Sequence, residues 1–198
     1  MFKVRVYTLQ LIACVEQVGP SVPPSNQDLL TALRLWDQAA CVMVAAALTD
    51  DGAIFKPSQM RYDVLWIYFR RINELGKILQ SQIRQNISVP AFPIDEAVGT
   101  PLFFCGFYCR DWSIRREQLR LLKALDERFK GSDGTAFLPM KISALERIID
   151  VESHGLQPGG VVPELARIRY VEFTGHRGSS NILFSYRHVG MDGLVEIL

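Results

Sequence analysis

One stretch of under thirty residues, Pro101 to Phe129 (PLFFCGFYCRDWSIRREQLRLLKALDERF), constrains the chain more than any other. Its first part carries Leu102, Phe103, Phe104, Phe107 and Tyr108 and is apolar nearly all round. A helix of that kind is expected to be buried, so neighbouring segments must pack against it. Thr100 is predicted to cap it. Pro101 suits the first helical position, where a missing N–H would have had no partner anyway. Asp111 is placed to cap a second helix. That helix turns Ile114, Leu121, Leu122, Leu125 and Phe129 inward and Arg115, Arg116, Arg120 and Lys123 largely outward.

The flanking segments supply the partners. Residues 2–15 fit a strand or a helix equally, and the Gly19-to-Pro24 breaker cluster follows. Ser25 or Asn26 then caps a helix whose stripe is Leu29, Leu33, Trp36, Ala40, Met43 or Val44, and Ala47; Asp50-Asp51-Gly52 ends it. A second helix runs from near Ser58 to about Gln85. Its core face is Leu65, Phe69, Ile72, Leu75, Leu79 and Ile83, helped by Trp66 and Tyr68; Arg61, Arg70, Arg71, Glu74 and Lys77 fill most of the rest. Gly76 inside it marks a close helix crossing. Residues 86–100 connect to the central stretch, and Gly131 to Gly134 form a loop. A helix after Pro139 places Ile142, Leu145, Ile148 and Ile149 on one face, with Gly155 as its stop. Beyond the Pro158-Gly159-Gly160 turn, Ile168, Tyr170 and Phe173, then Ile182, Phe184 and Tyr186, read as a β-hairpin over about residues 166–188. A lone hairpin is marginal in water, so it is expected to pack on the helices. The predicted fold is mostly α: an antiparallel α-helical array with a small C-terminal β-hairpin. It divides into an N-terminal segment, 1–24, and one helical domain, 25–198.

At 48% hydrophobic and 22% charged, the chain can bury a full core. A formal net charge of +1 supplies no field to draw it to nucleic acid or to a membrane surface, so direct nucleic-acid binding is not expected. The longest apolar run, Ala39 to Leu48, is about half of a membrane span. The opening MFKVRVYTLQLIACV lacks a small-x-small site and has Gln10 mid-run, which weighs against a signal peptide. Cys14, Cys41, Cys105 and Cys109 show no disulfide spacing and are expected as free thiols in a reducing compartment.

No constellation points to catalysis. Cys105 and Cys109 share one helix side and could form half a metal site, but neither a His nor a second Cys pair lies nearby, so core thiols are expected. Arg110, Arg115, Arg116 and Arg120 form a basic patch: either a solvated face with ion pairs to Asp111 and Glu117, or a surface for an anion or acidic peptide. His154, His176 and His188 pair with no nucleophile in a catalytic pattern. The glycines form no phosphate loop. The residues suggest no enzyme, no cofactor and no metal.

PLFFCGFYCRDWSIRREQLRLL resembles part of the C-terminal regulatory region of fungal zinc binuclear-cluster transcription factors and their cluster-less relatives. Cys109, Arg110, Asp111, Ile114, Arg115 and Arg116 stand at matching positions. LTALRLWDQAACVMVAAAL, RYDVLWIYFRRINELGKIL, ALERIIDVESHGL and VPELARIRYVEF resemble four further family segments in order, so the likeness spans about residues 29–188. Trp112 replaces the family's usual proline, DERFKGSDGTAF lacks its Arg-Glu-Gly-x-Trp pattern, and four cysteines cannot supply the six-cysteine zinc cluster. The resemblance implies a regulatory-type fold and a transcription-linked role in the nucleus, with the cytoplasm as the alternative. It implies protein partners and often a place beside secondary-metabolite genes. Its candidate interaction residues are Cys109, Arg110, Asp111, Arg115, Arg116 and Arg120. Five apolar helix faces and a hairpin offer several surfaces for a homodimer. The alternative function is a helical interaction scaffold without a transcriptional role.

Overall fold

The computed structural model describes residues 17, 27–47, 64–85, 95–130, 137–163, 166–174, 183–188 and 195–197. These are mostly helical, as expected. The α-helices are α1 (Gln27–Ala47), α2 (Val64–Gln85), α3 (Thr100–Tyr108), α4 (Trp112–Phe129) and α5 (Leu138–Glu152), and one turn of π-helix, Asp95–Gly99, runs straight into α3. Three short extended segments follow, β1 (Ile168–Thr174), β2 (Leu183–His188) and β3 (Val195–Ile197). The readings of residues 2–15 and 19–24, of the Ser25 or Asn26 cap, of the Asp50–Gly52 and Ser58 boundaries, of the Gly131–Gly134 loop, and of the Leu65, Trp66 and Ile83 side chains lie outside the described residues. No helix among the described residues is long and apolar enough to cross a membrane.

The short aromatic helix α3 touches all four other helices. Its Leu102 and Cys105 are fully buried in one contiguous apolar core with Leu35, Ala39 and Val42 of α1, Phe69, Ile72 and Leu79 of α2, Leu121 and Leu122 of α4, and Leu145 of α5. Two expectations for α3 are corrected. Thr100 is not its cap: the residue before it, Gly99, is itself helical, because the π turn already leads into the helix. Thr100 Oγ1 instead accepts a 2.8 Å hydrogen bond from Lys141 Nζ of α5. Nor is α3 buried all round. Phe103, Phe104, Phe107 and Tyr108 are half-buried and meet in edge-to-face pairs, Phe103–Phe104 at 5.9 Å and Phe107–Tyr108 at 5.0 Å.

On α2 the expected face holds: Phe69, Ile72, Leu75 and Leu79 are buried. Gly76 does mark a close crossing. A Cβ there would lie 2.9 Å from Leu121 Cδ1 and 3.3 Å from Leu102 Cδ2, so α2 passes tightly over both α3 and α4. Gly106 on α3 is tighter still: a Cβ there would lie 2.7 Å from Leu145 Cδ2 and 3.3 Å from Gln118 Oε1. Gly106→Ala gains ~1 kcal/mol of helix propensity but overpacks a fully buried leucine at a cost of about 1–3 kcal/mol. A net loss of stability in urea unfolding is the expected result.

The face of α1 is a correction. The expected core stripe, Leu29, Leu33, Trp36, Ala40, Met43 or Val44, and Ala47, is not the buried one: Leu29 is 44% and Leu33 48% exposed, Val44 is exposed, Trp36, Ala40 and Met43 are half-buried, and the Ala47 side chain lies outside the described residues. The buried stripe is Ala32, Leu35, Ala39 and Val42. Both sides of α1 are apolar at helical spacing, so periodicity alone could not choose between them.

Candidate functional site

Cys109, Arg110, Asp111, Ile114, Arg115 and Arg116 lie at the turn from α3 to α4. Asp111 caps α4 as expected. Its backbone is extended, and its Oδ1 accepts from the Ser113 amide at 3.0 Å and the Ile114 amide at 3.1 Å, two donors that no helical carbonyl can reach. The Ser113 hydroxyl donates to the same oxygen. Asp111→Ala is expected to lower stability by about 1 kcal/mol in chemical unfolding.

The turn is clamped from outside by the segment after α5. The Trp112 amide donates to Gly160 O at 3.2 Å and the Val162 amide to Arg110 O at 3.0 Å, so residues 110–112 and 160–162 form a short antiparallel bridge centred on Asp111 and Val161. A proline at position 112 would have no N–H for the first of these bonds. The Arg110 side chain completes the clamp: Nε and Nη2 both donate to Val162 O, at 2.8 and 2.5 Å.

Arg115, in the first turn of α4, ties four elements together. Its Nε donates to Gly106 O of α3 at 3.0 Å, and its Nη1 to Glu152 Oε2 of α5 at 2.6 Å. Glu152 Oε1 in turn accepts the Ile168 amide at the start of β1, also at 2.6 Å. Both charged side chains are 1% exposed. A carboxylate at a helix C-terminus opposes the helix dipole. Here a guanidinium and a backbone N–H offset that conflict. Asn73 adds a link from α2, its Nδ2 donating to Ile114 O at 3.2 Å.

The expected basic face therefore divides. Arg110 and Arg115 are inside, 0% and 1% exposed, and Cys109 is buried beside them. Only Arg116, Arg120 and Lys123 face outward. The helical offsets explain the split: Arg115 and Gln118 lie on the same stripe as Leu122, Leu125 and Phe129, whereas Arg116, Arg120 and Lys123 lie on the opposite one. The outward arginines have local partners. Arg120 grips Glu117 with two bonds at 2.8 and 2.9 Å, and Lys77 reaches Glu117 at 3.2 Å. The Arg120 guanidinium holds the Glu117 carboxyl below its usual range. Arg116 lies over the Trp112 ring, 5.3 Å from its centroid. Exposed pairs of this kind contribute about 0–1 kcal/mol each.

Cys105 and Cys109 are buried free thiols, and the Cys109 amide closes the last turn of α3 on Cys105 O at 2.8 Å. Burial pushes the Cys109 thiol up to about 12 and the Cys105 thiol well above its ordinary value. Among the described residues, no three His, Cys, Asp or Glu side chains are placed to hold a metal ion. The folded Cys109 keeps its proton over the range from the ordinary thiol value, ~8.5, up to about 12, where the unfolded thiol has lost it. Stability from this group is whole below that range and falls as pH rises through it. Circular dichroism of alkaline unfolding should show that decline, and Cys109→Ala should flatten it.

No protein-family model, curated protein or solved structure matches this chain. The junction itself therefore indicates what these residues do. Arg110, Asp111, Arg115 and Glu152 spend their hydrogen bonds on the chain's own backbone and on each other. Sequence reasoning missed Glu152, Asn73 and Gln118. The signal for Gln118 was its place on the Leu122 stripe, and for Glu152 its charge at the unfavourable end of a helix.

Proposed function

We propose that this chain is a regulatory domain of the fungal zinc-cluster transcription-factor type that lacks a DNA-binding cluster of its own and acts through protein contacts. One observation carries the reading: five segments similar to the family's occur in the family's order, centred on Cys109-Arg110-Asp111. The bonds made by Arg110, Asp111 and Arg115 support it by giving each of these residues a part in holding one fold together. Under this reading the similarity marks an architecture, not a catalytic or metal centre, and the chain has no enzymatic role. The finer architecture belongs to the same proposal: an antiparallel helical array with a β-hairpin over residues 166–188 packed on it. The antiparallel register of Ile168–Thr174 with Leu183–His188 supports that hairpin. Nuclear residence, a DNA-binding protein or the transcription machinery as partner, and a link to secondary-metabolite genes follow from the resemblance alone.

A second reading, an interaction scaffold without a transcriptional role, is favoured by the exposed apolar stripe of α1. The two separate by localisation and transcript profiling in a fungal cell. The regulator reading expects nuclear accumulation of the tagged chain and altered transcripts on deletion. A cytosolic chain whose deletion changes no transcript would sink it.

A further inference from the structure

Arg115 and Gln118 sit one turn apart on the buried stripe of α4, and both reach Gly106 of α3. Arg115 Nε donates to Gly106 O at 3.0 Å. Gln118 Oε1 lies 3.3 Å from where a Cβ on Gly106 would stand. Both side chains are fully buried. Yet among the described residues neither Oε1 nor Nε2 of Gln118 has a hydrogen-bond partner, and Arg115 Nη2 has none either. A guanidinium is a rigid planar fork, in which Nε–H and one Nη2–H point to the same side. With Nε on Gly106 O, Nη2 is aimed at the same edge of α3, where the Gln118 amide lies.

Buried side-chain amides and guanidinium N–H groups in folded proteins are hydrogen-bonded, because a dry one has lost its hydration for nothing. The surroundings fix the chemistry of the missing partner. The Arg115 charge is already met by Glu152 Oε2 at 2.6 Å, so an anion would add an uncompensated buried charge. A cation would face the guanidinium. An apolar molecule would satisfy none of the three atoms. The partner must be neutral, must accept from Arg115 Nη2, and must also bond the Gln118 amide, whichever way that amide is turned. It must be small as well, because Leu145 Cδ2 comes within 2.7 Å of the Cβ position at Gly106. Water meets each of these conditions, and bridging otherwise unpaired buried groups is its usual place in a protein interior.

We propose that one buried water molecule bridges Arg115 Nη2 and the Gln118 amide beside Gly106 and is a fixed part of the α3–α4 junction. The polar network then runs from Glu152 through Arg115 and the water to Gln118. This is independent of any transcriptional role. Two measurements on the full chain test it. A crystal structure should show one ordered oxygen within hydrogen-bond distance, about 2.7–3.2 Å, of both Arg115 Nη2 and the Gln118 amide. Gln118→Met keeps the unbranched shape of the side chain but removes both polar atoms. It leaves the water and Arg115 each short of a bond, so the folded-to-unfolded ratio in urea should fall about 5-fold or more. A dry amide predicts the opposite sign, since Met would then remove a buried polar group that bonds to nothing. A Gln118 amide bonded straight to Arg115, or one with no ordered oxygen beside it, would overturn the proposal. So would a Gln118→Met ratio equal to or above that of the unaltered chain.

Discussion

Replacing Arg115 with alanine is expected to cost about 3–5 kcal/mol of folding stability, the largest loss from any single arginine at the junction. The magnitude comes from what is left behind. Glu152 is 1% exposed and would keep a buried carboxylate without its cation, and Gly106 O would lose its donor. Arg115→Lys should recover only part of the loss, because a single ammonium cannot span Gly106 O and Glu152 as the planar guanidinium does. Arg120→Ala, made on the same helix, should cost no more than about 1 kcal/mol, since Arg120 and Glu117 meet at the surface. Urea unfolding of the three variants checks all of this. A loss at Arg115 no larger than that at Arg120 would place the guanidinium in solvent.

Leu35→Ala is expected to cost about 2–5 kcal/mol, and Leu33→Ala, two residues earlier on the same helix, no more than about 0.5 kcal/mol. Leu35 is 0% exposed and packs in the common core; Leu33 is 48% exposed. The pair tests which side of α1 faces inward. Thermal unfolding by circular dichroism is enough to read it. Equal losses would mean that both faces of α1 are covered in the folded protein.

The two variants also show where the sequence could be read and where it could not. For α2 and the inward leucines of α4, apolar residues at helical spacing stood against charged ones, and one face was the only choice. The Asp111 cap and the Gly76 crossing were legible because few residue types suit those positions. On α1 apolar residues lie on both sides, and only the partners decide which stripe is buried. Arg110 and Arg115 failed for another reason. An arginine reads as surface because burying its charge is costly without a partner, and the partners are remote in sequence: Glu152 for one, the Val162 carbonyl for the other. A buried charged network is a property of tertiary structure, and the local pattern around either arginine contains half of it.

That network turns the stretch from Cys109 to Arg115 from a candidate binding surface into the interior lock of the α3–α4 junction. A double-mutant cycle in urea on Arg115→Ala and Glu152→Ala measures it directly. The expected result is strong coupling, about 1.5–3 kcal/mol, with the double variant far less damaged than the two single losses would add up to. Single losses under about 1 kcal/mol that add within ~0.5 kcal/mol, as an exposed ion pair gives, would contradict it.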